Sequence, residues 1–131
     1  MDYVVEIVSI EELHNFVTFI KNFIQKKDIV CIEGELGAGK TTFVKSFLKL
    51  FDYEGVSSPT FSIINEYQLG DFKIIHADFY RIENVGEFVD YIKQEQEQAI
   101  SFIEWPKDID CTKKLTITPI SQTKRVYKLC L

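Results

Sequence analysis

Positive charge is scarce in this chain. Fifteen Lys and Arg face 20 Asp and Glu, for a formal net charge of −5 and a pI near 5.0. No global positive field is available to neutralise nucleic-acid phosphates, so strong direct binding of nucleic acid is not expected. The local exception is a C-terminal cluster of Lys113, Lys114, Lys124, Arg125 and Lys128, which reads first as a solvated hairpin face. The three cysteines, Cys31, Cys111 and Cys130, are odd in number and form no C-x-x-C pair. That pattern fits a reducing compartment better than a disulfide framework, and no His/Cys spacing suits zinc. No uninterrupted apolar run is long enough to span a membrane, and Met1-Asp2-Tyr3 does not begin a basic leader, so the expected location is the cytoplasm with no membrane partner. Missing too are a G-x-S-x-G nucleophile turn and the guanine-reading N-K-x-D pattern.

What is present describes one α/β domain over residues 1–131. The chain is 46% apolar and 27% charged, the ordinary balance of a globular protein. Ser9-Ile10-Glu11-Glu12 has the form of a capping box, and Leu13, Phe16, Val17, Ile20, Phe23 and Ile24 recur at helical spacing, predicting a helix over residues 10–26. The apolar run 28–32 ends at Gly34 and predicts a strand buried on both faces at the centre of a parallel sheet. Phe43, Val44, Phe47, Leu48 and Phe51 mark a second helix from about Lys40. Residues 61–67 and 72–79 predict an antiparallel hairpin turning around Leu69-Gly70-Asp71. A third helix is expected from Asn84, a buried strand over 99–103, and a closing hairpin from 115–118 and 126–131. The predicted architecture is three-layered, with a mainly parallel sheet and antiparallel hairpin additions.

Gly34-Glu35-Leu36-Gly37-Ala38-Gly39-Lys40-Thr41 matches G-x-x-x-x-G-K-[ST] in full and lies between a predicted strand and a predicted helix, as a P-loop requires. Residues without Cβ let successive backbone N–H groups approach a polyphosphate at the positive end of a helix. Lys40 would set its ammonium beside the terminal phosphates, the Thr41 hydroxyl would coordinate magnesium, and Thr42 would bond the phosphate nearer the sugar. ATP and Mg²⁺ are therefore the expected ligands.

Phosphoryl transfer also needs an acid near the metal and a group that positions water. Glu104 ends the strand 99–103, where a Walker B carboxylate lies if that strand neighbours the P-loop strand. Alternation puts His76, Asp78 and Tyr80 on one face of another strand, either as a structural network or as part of the site. Thr60, after Pro59, stabilises a turn or senses the terminal phosphate. Trp105 stands beside Glu104, so its fluorescence could report nucleotide, and His14 reads as a helix-surface residue.

Five segments in this order resemble the TsaE family of bacterial ATPases: residues 34–42, Ser58-Pro59-Thr60-Phe61, Asn65-Glu66-Tyr67, the span from His76 to Arg81, and Ile103-Glu104-Trp105-Pro106. The resemblance covers roughly residues 5–131. It implies a subunit that works with TsaB and TsaD in placing threonylcarbamoyl on the adenosine beside the anticodon, with ATP hydrolysis sustaining repeated rounds and tRNA contacted through the partners. By position it implies phosphate contacts from Lys40 and the loop amides, magnesium contacts from Thr41 and Glu104, hydrolysis assisted by Asp78, and a nucleotide-sensitive loop at Thr60. Phe79 stands where the family commonly has leucine. Tyr91-Ile92-Lys93-Gln94 replaces a stretch where the family often has a glycine and an acid.

Weak hydrolysis by the chain alone is expected, since neither of its arginines, Arg81 and Arg125, adjoins the P-loop in sequence as a transition-state finger. Two alternatives stay open on the residues. One is a nucleotide-sensing binding module with incidental hydrolysis. The other is a small-molecule kinase, against which stands the lack of an arginine-bearing lid insertion.

Overall fold

Ile29–Glu33 forms the middle strand of a seven-stranded sheet, and its Ile29, Val30, Cys31 and Ile32 are all buried. The computed structural model describes residues 1–53 and 63–131. In chain order the elements are β1 (Asp2–Ile7), α1 (Ile10–Ile20), β2 (Ile29–Glu33), α2 (Lys40–Lys49), β3 (Ile64–Leu69), β4 (Phe72–Asp78), α3 (Gly86–Glu95), β5 (Ala99–Glu104), β6 (Lys113–Pro119) and β7 (Arg125–Cys130). Single 3-10 turns follow α1 and α3. The strand order is β1-β7-β6-β2-β5-β4-β3, in which β6, β2, β5 and β4 run parallel, β3 and β7 flank them antiparallel, and β1 pairs antiparallel with β7. The mainly parallel sheet with hairpin additions is therefore the one expected.

Alternation along the strands builds the two faces. Val30, Ile32, Ile74, Phe102 and Leu115 meet α1 and α2, whose Phe16, Val17, Phe43, Val44, Phe47 and Leu48 are buried. Ile29, Cys31, Ile75, Ala77 and Ile103 meet Val89 and Ile92 of α3. Each Val, Leu, Ile or Phe among them contributes about 1.5–3 kcal/mol of transfer free energy, enough to fix which face each helix covers.

Several boundaries differ from the sequence reading. The α1 segment stops at Ile20 and passes through a 3-10 turn, and Ile24 leaves it extended while staying buried. Asp28 ends the run by accepting from the Gln25 amide at 2.9 Å, with Lys27 in the left-handed region at φ 81°. Asn84 does not cap α3: its side-chain Oδ1 accepts from the Gly86 amide at 3.0 Å, and Val85 is the cap residue. The departure at Tyr91-Ile92-Lys93-Gln94 simply continues α3, where the Tyr91 hydroxyl bonds Glu66 and Lys73. Strand β1 was not predicted. It is an edge strand of half-exposed residues with no sustained apolar alternation.

The cysteine reading is corrected. Cys31 on β2 and Cys111, just before β6, are joined in a disulfide with Cα atoms 5.7 Å apart, leaving Cys130 as the free thiol. The pairing is invisible in sequence because it depends on β6 lying against β2, 80 residues away. Closing a loop of that length is worth roughly 4 kcal/mol. Reduction should therefore lower Tm by on the order of 10 °C. Thiol titration of the denatured oxidised chain should find one reactive group, rising to three on reduction.

The C-terminal basic cluster is also accounted for. Lys113 bonds Asp28 at 2.8 Å, Lys114 lies 3.4 Å from Glu33, Lys124 3.7 Å from Glu6, and Lys128 3.6 Å from Asp2. Four of its five charges face carboxylates, in keeping with a solvated hairpin face, while Arg125 donates to backbone carbonyls.

Candidate phosphate-binding site

The segment from Gly34 to Thr42 leaves the central strand and enters α2. Gly34 packs so closely on β6 that a Cβ there would stand 2.8 Å from the Ile117 carbonyl oxygen. Gly39 lies at φ 108° and is the cap residue of α2, and Gly37 lies at φ 76°, both in the region that favours glycine. No side chain caps α2, whereas the Ser9 hydroxyl accepts from the Glu12 amide at the start of α1. A helix start without a side-chain cap leaves its first N–H groups available to an anion.

Lys40 is buried, and its ammonium donates to the carbonyls of Gly34 at 2.7 Å and Glu35 at 2.8 Å. An ammonium has three donors, so one remains after those bonds. The same Nζ lies 4.5 Å from the centre of the Trp105 ring. Burial lowers the Lys40 pKa, and the carboxylates of Glu104 and Asp78 oppose that shift.

Strands β2, β5 and β4 end side by side, with Ile32 opposite Glu104 and Glu104 opposite Asp78. That register brings residues from three parts of the sequence to one edge. The Thr41 hydroxyl donates to Glu104 Oε2 at 2.9 Å, and His76 Nε2 lies 2.5 Å from the same oxygen. Glu104 and His76 are both buried. Asp78 accepts from the Tyr80 amide at 2.9 Å. Desolvation raises the Asp78 pKa, the Tyr80 amide acts against the rise, and the nearby Glu104 charge adds to it.

A cavity of about 520 Å³ opens over these groups, lined by Leu36, Gly37, Gly39, Lys40, Thr41, Thr42, Asp78 and Glu104 among others. Of the other loop residues, Gly34 and Glu35 give their carbonyls to Lys40, and Ala38 is buried. Thr60, with the Ser58-Pro59-Thr60-Phe61 segment, lies outside the described residues.

Tyr80, expected on the face of Asp78, and Trp105, expected beside Glu104, both line the cavity. Sequence reasoning gave no site role to Ile63, Arg81 and Ile82, which complete it, so one of the two arginines shares the cavity wall with the P-loop. Tyr80 and Trp105 pack with ring centres 4.8 Å apart and planes tilted by 42°, and Trp105 holds a left-handed φ of 54°. The other arginine, Arg125, donates from Nε to the Ala38 carbonyl at 3.1 Å. It also lines a smaller cavity of about 290 Å³ behind the loop, which shares Gly37, Gly39 and Thr42 with the first and adds Ser9, Ile10 and Tyr127. A guanidinium beside a glycine loop carries no short-range sequence signal, because β7 reaches the loop only through the sheet order.

The donor set fits a hard divalent cation. Thr41 and Glu104 offer oxygen atoms within hydrogen-bond distance of each other at the cavity wall. Among the described residues no group of three or more His, Cys, Asp and Glu is arranged to hold a metal ion by itself. Two protein oxygens with the remaining ligands drawn from phosphate and water is the pattern magnesium prefers. Among the described residues no helix is long and apolar enough to cross a membrane.

Comparison with known proteins matches residues 7–127 to a family model described as TsaE, threonylcarbamoyl adenosine biosynthesis protein TsaE. A tRNA threonylcarbamoyladenosine biosynthesis protein TsaE from Aquifex aeolicus is 33% identical over 125 residues, covering 92% of this chain and 90% of that protein. Its namesake from Bacillus subtilis is 37% identical over 99 residues, covering 75% of this chain and 63% of that protein. The crystal structure of Bacillus subtilis YdiB superposes with a TM-score of 0.72 at 24% identity, covering 98% of this chain and 84% of that one.

Proposed function

Because the chain belongs to the TsaE family of threonylcarbamoyl adenosine biosynthesis proteins, we propose that it serves this tRNA modification as a P-loop ATPase with ATP and Mg²⁺ as ligands. The observation that carries the reading is the 2.9 Å bond from Thr41, at the start of α2, to Glu104, at the end of the neighbouring strand. It joins a phosphate-loop hydroxyl to a strand-end acid in the geometry that nucleotide hydrolysis uses.

In this reading the α2 amides and the Lys40 ammonium bind the phosphates and neutralise their charge. Thr41 and Glu104 would hold magnesium, which would supply positive charge against the negative charge of the phosphates. Asp78 orients a water for attack on the terminal phosphorus. As the water oxygen bonds that phosphorus, the bond to the ADP oxygen breaks with its electron pair leaving on ADP, and ADP, inorganic phosphate and a proton are released. The reading assigns the nucleoside to the second cavity, which shares Thr42 with the first and is lined by Ile10, Arg125 and Tyr127 among others. Arg81 lines the cavity and Arg125 is engaged with the Ala38 carbonyl, but among the described residues neither is bonded to a phosphate-binding group, so the reading keeps turnover by the chain alone weak, with TsaB and TsaD completing the site and contacting the tRNA. The ion pairing of Lys113, Lys114, Lys124 and Lys128 supports indirect rather than direct contact with RNA.

The cytoplasm is the proposed location because the family's named role is tRNA modification, and there the adjacent Cys31 and Cys111 would be held as thiols, the bridge forming on oxidation. Affinity capture from native extract, with and without ATP, tests the assembly. TsaB and TsaD should be recovered with the chain, and their absence under every nucleotide condition would remove the partner role.

A further inference from the structure

The buried imidazole of His76 has no assigned part in the phosphate site, yet it touches the acid that site depends on. His76 projects from β4 and is 0% exposed, and its Nε2 lies 2.5 Å from Glu104 Oε2. Its other nitrogen, Nδ1, is buried with no hydrogen-bond partner among the described residues. Those two facts select a tautomer. A buried N–H without an acceptor is costlier than a bare lone pair, and an ionised carboxylate can only accept, so the proton sits on Nε2 and is donated to Glu104.

Glu104 Oε2 therefore accepts two bonds, one from His76 and one from Thr41. With that oxygen pinned from both sides, the carboxylate cannot rotate freely, and Oε1 remains for another ligand. We propose that His76 is a positioning residue that locks the Glu104 carboxylate in the orientation a divalent cation needs. Carboxylates that bind metals depend on hydrogen bonds of this kind, and loss of the outer partner typically weakens metal affinity by about 10–100-fold. The inference rests on the proposed ATP–magnesium reading and adds to it a residue that touches neither nucleotide nor metal.

The test uses the full chain with ADP and Mn²⁺ as a paramagnetic probe, free and bound ion being separated by electron paramagnetic resonance. His76→Phe keeps the ring volume and removes the donor, and His76→Gln places an amide N–H near the position of Nε2. Mn²⁺ affinity of the ADP-bound protein should fall about 10–100-fold in His76→Phe and recover in His76→Gln, while ADP affinity in chelator stays as in the parent. Equal Mn²⁺ affinity in a folded His76→Phe protein would overturn the proposal. So would a folded His76→Gln variant as weak as His76→Phe.

Should the phenylalanine variant not fold, nitrogen NMR of the parent's histidines decides the matter. The expected result is an Nε2–H tautomer whose resonance moves on adding ADP with Mg²⁺; an Nδ1–H tautomer, or no movement, removes the inference. If the parent itself binds neither ADP nor Mn²⁺, the ATP reading fails instead, and the two failures are told apart by that control.

Discussion

Replacing Lys40 with alanine should reduce ATP affinity at least about 100-fold by calorimetry. The estimate follows from losing charge-assisted contacts worth about 1.5–3 kcal/mol each in a partly desolvated site. The ammonium is held at the loop by the carbonyls of Gly34 and Glu35, so it is already in place before any phosphate arrives. Two carboxylates, Glu104 and Asp78, favour its charged form against the pull of burial. Alanine also leaves those two carbonyls without their donor, and a modest fall in Tm of the nucleotide-free chain should accompany the loss of binding. A variant that bound ATP with parental heat and affinity would show that the glycine loop is not the phosphate site.

Glu104→Gln separates hydrolysis from binding. Glutamine keeps the side-chain shape and can still accept from Thr41, but it no longer brings a negative charge to the cation. Hydrolysis by the assembled complex should drop roughly 100–1,000-fold, about 3–4 kcal/mol of lost transition-state stabilisation, while nucleotide affinity in chelator changes little. One coupled effect has a definite sign. Glu104 is the larger of the two influences that raise the Lys40 pKa, so its neutralisation moves the lysine further down. If the glutamine chain supported tRNA modification as well as the parent, a nucleotide-sensing module with incidental hydrolysis would be the better account.

How much could be read without coordinates depended on how local each signal was. The glycine loop was legible because strand, turn and helix are contiguous and each glycine answers to a backbone requirement at its own position. Glu104 was legible as the acid ending an apolar run, and β5 does lie beside β2. The His76–Glu104 contact was not, because it depends on the register of β4 against β5, in which His76 faces Phe102 and reaches Glu104 diagonally. Arg125 and the Cys31–Cys111 bridge were hidden for the same reason: each joins parts of the chain about 80 or more residues apart, brought together by strand order alone. At α1 the error ran the other way. Apolar residues kept helical spacing beyond Ile20, but the turn at Lys27 and Asp28 had already begun to pull the chain toward β2.

Trp105 adopts a backbone conformation that a bulky residue rarely occupies, at a cost of order 1–3 kcal/mol. A glycine would sit there at ease, but it would leave Tyr80 without its packing neighbour and Lys40 without an aromatic wall. The domain thus gives up some resistance to unfolding one residue past its strand-end acid, and in return a broad indole lines the cleft beside the Lys40 ammonium. Selection for thermal robustness alone would pull against that indole, so variants chosen only for heat tolerance can be expected to erode the cleft first.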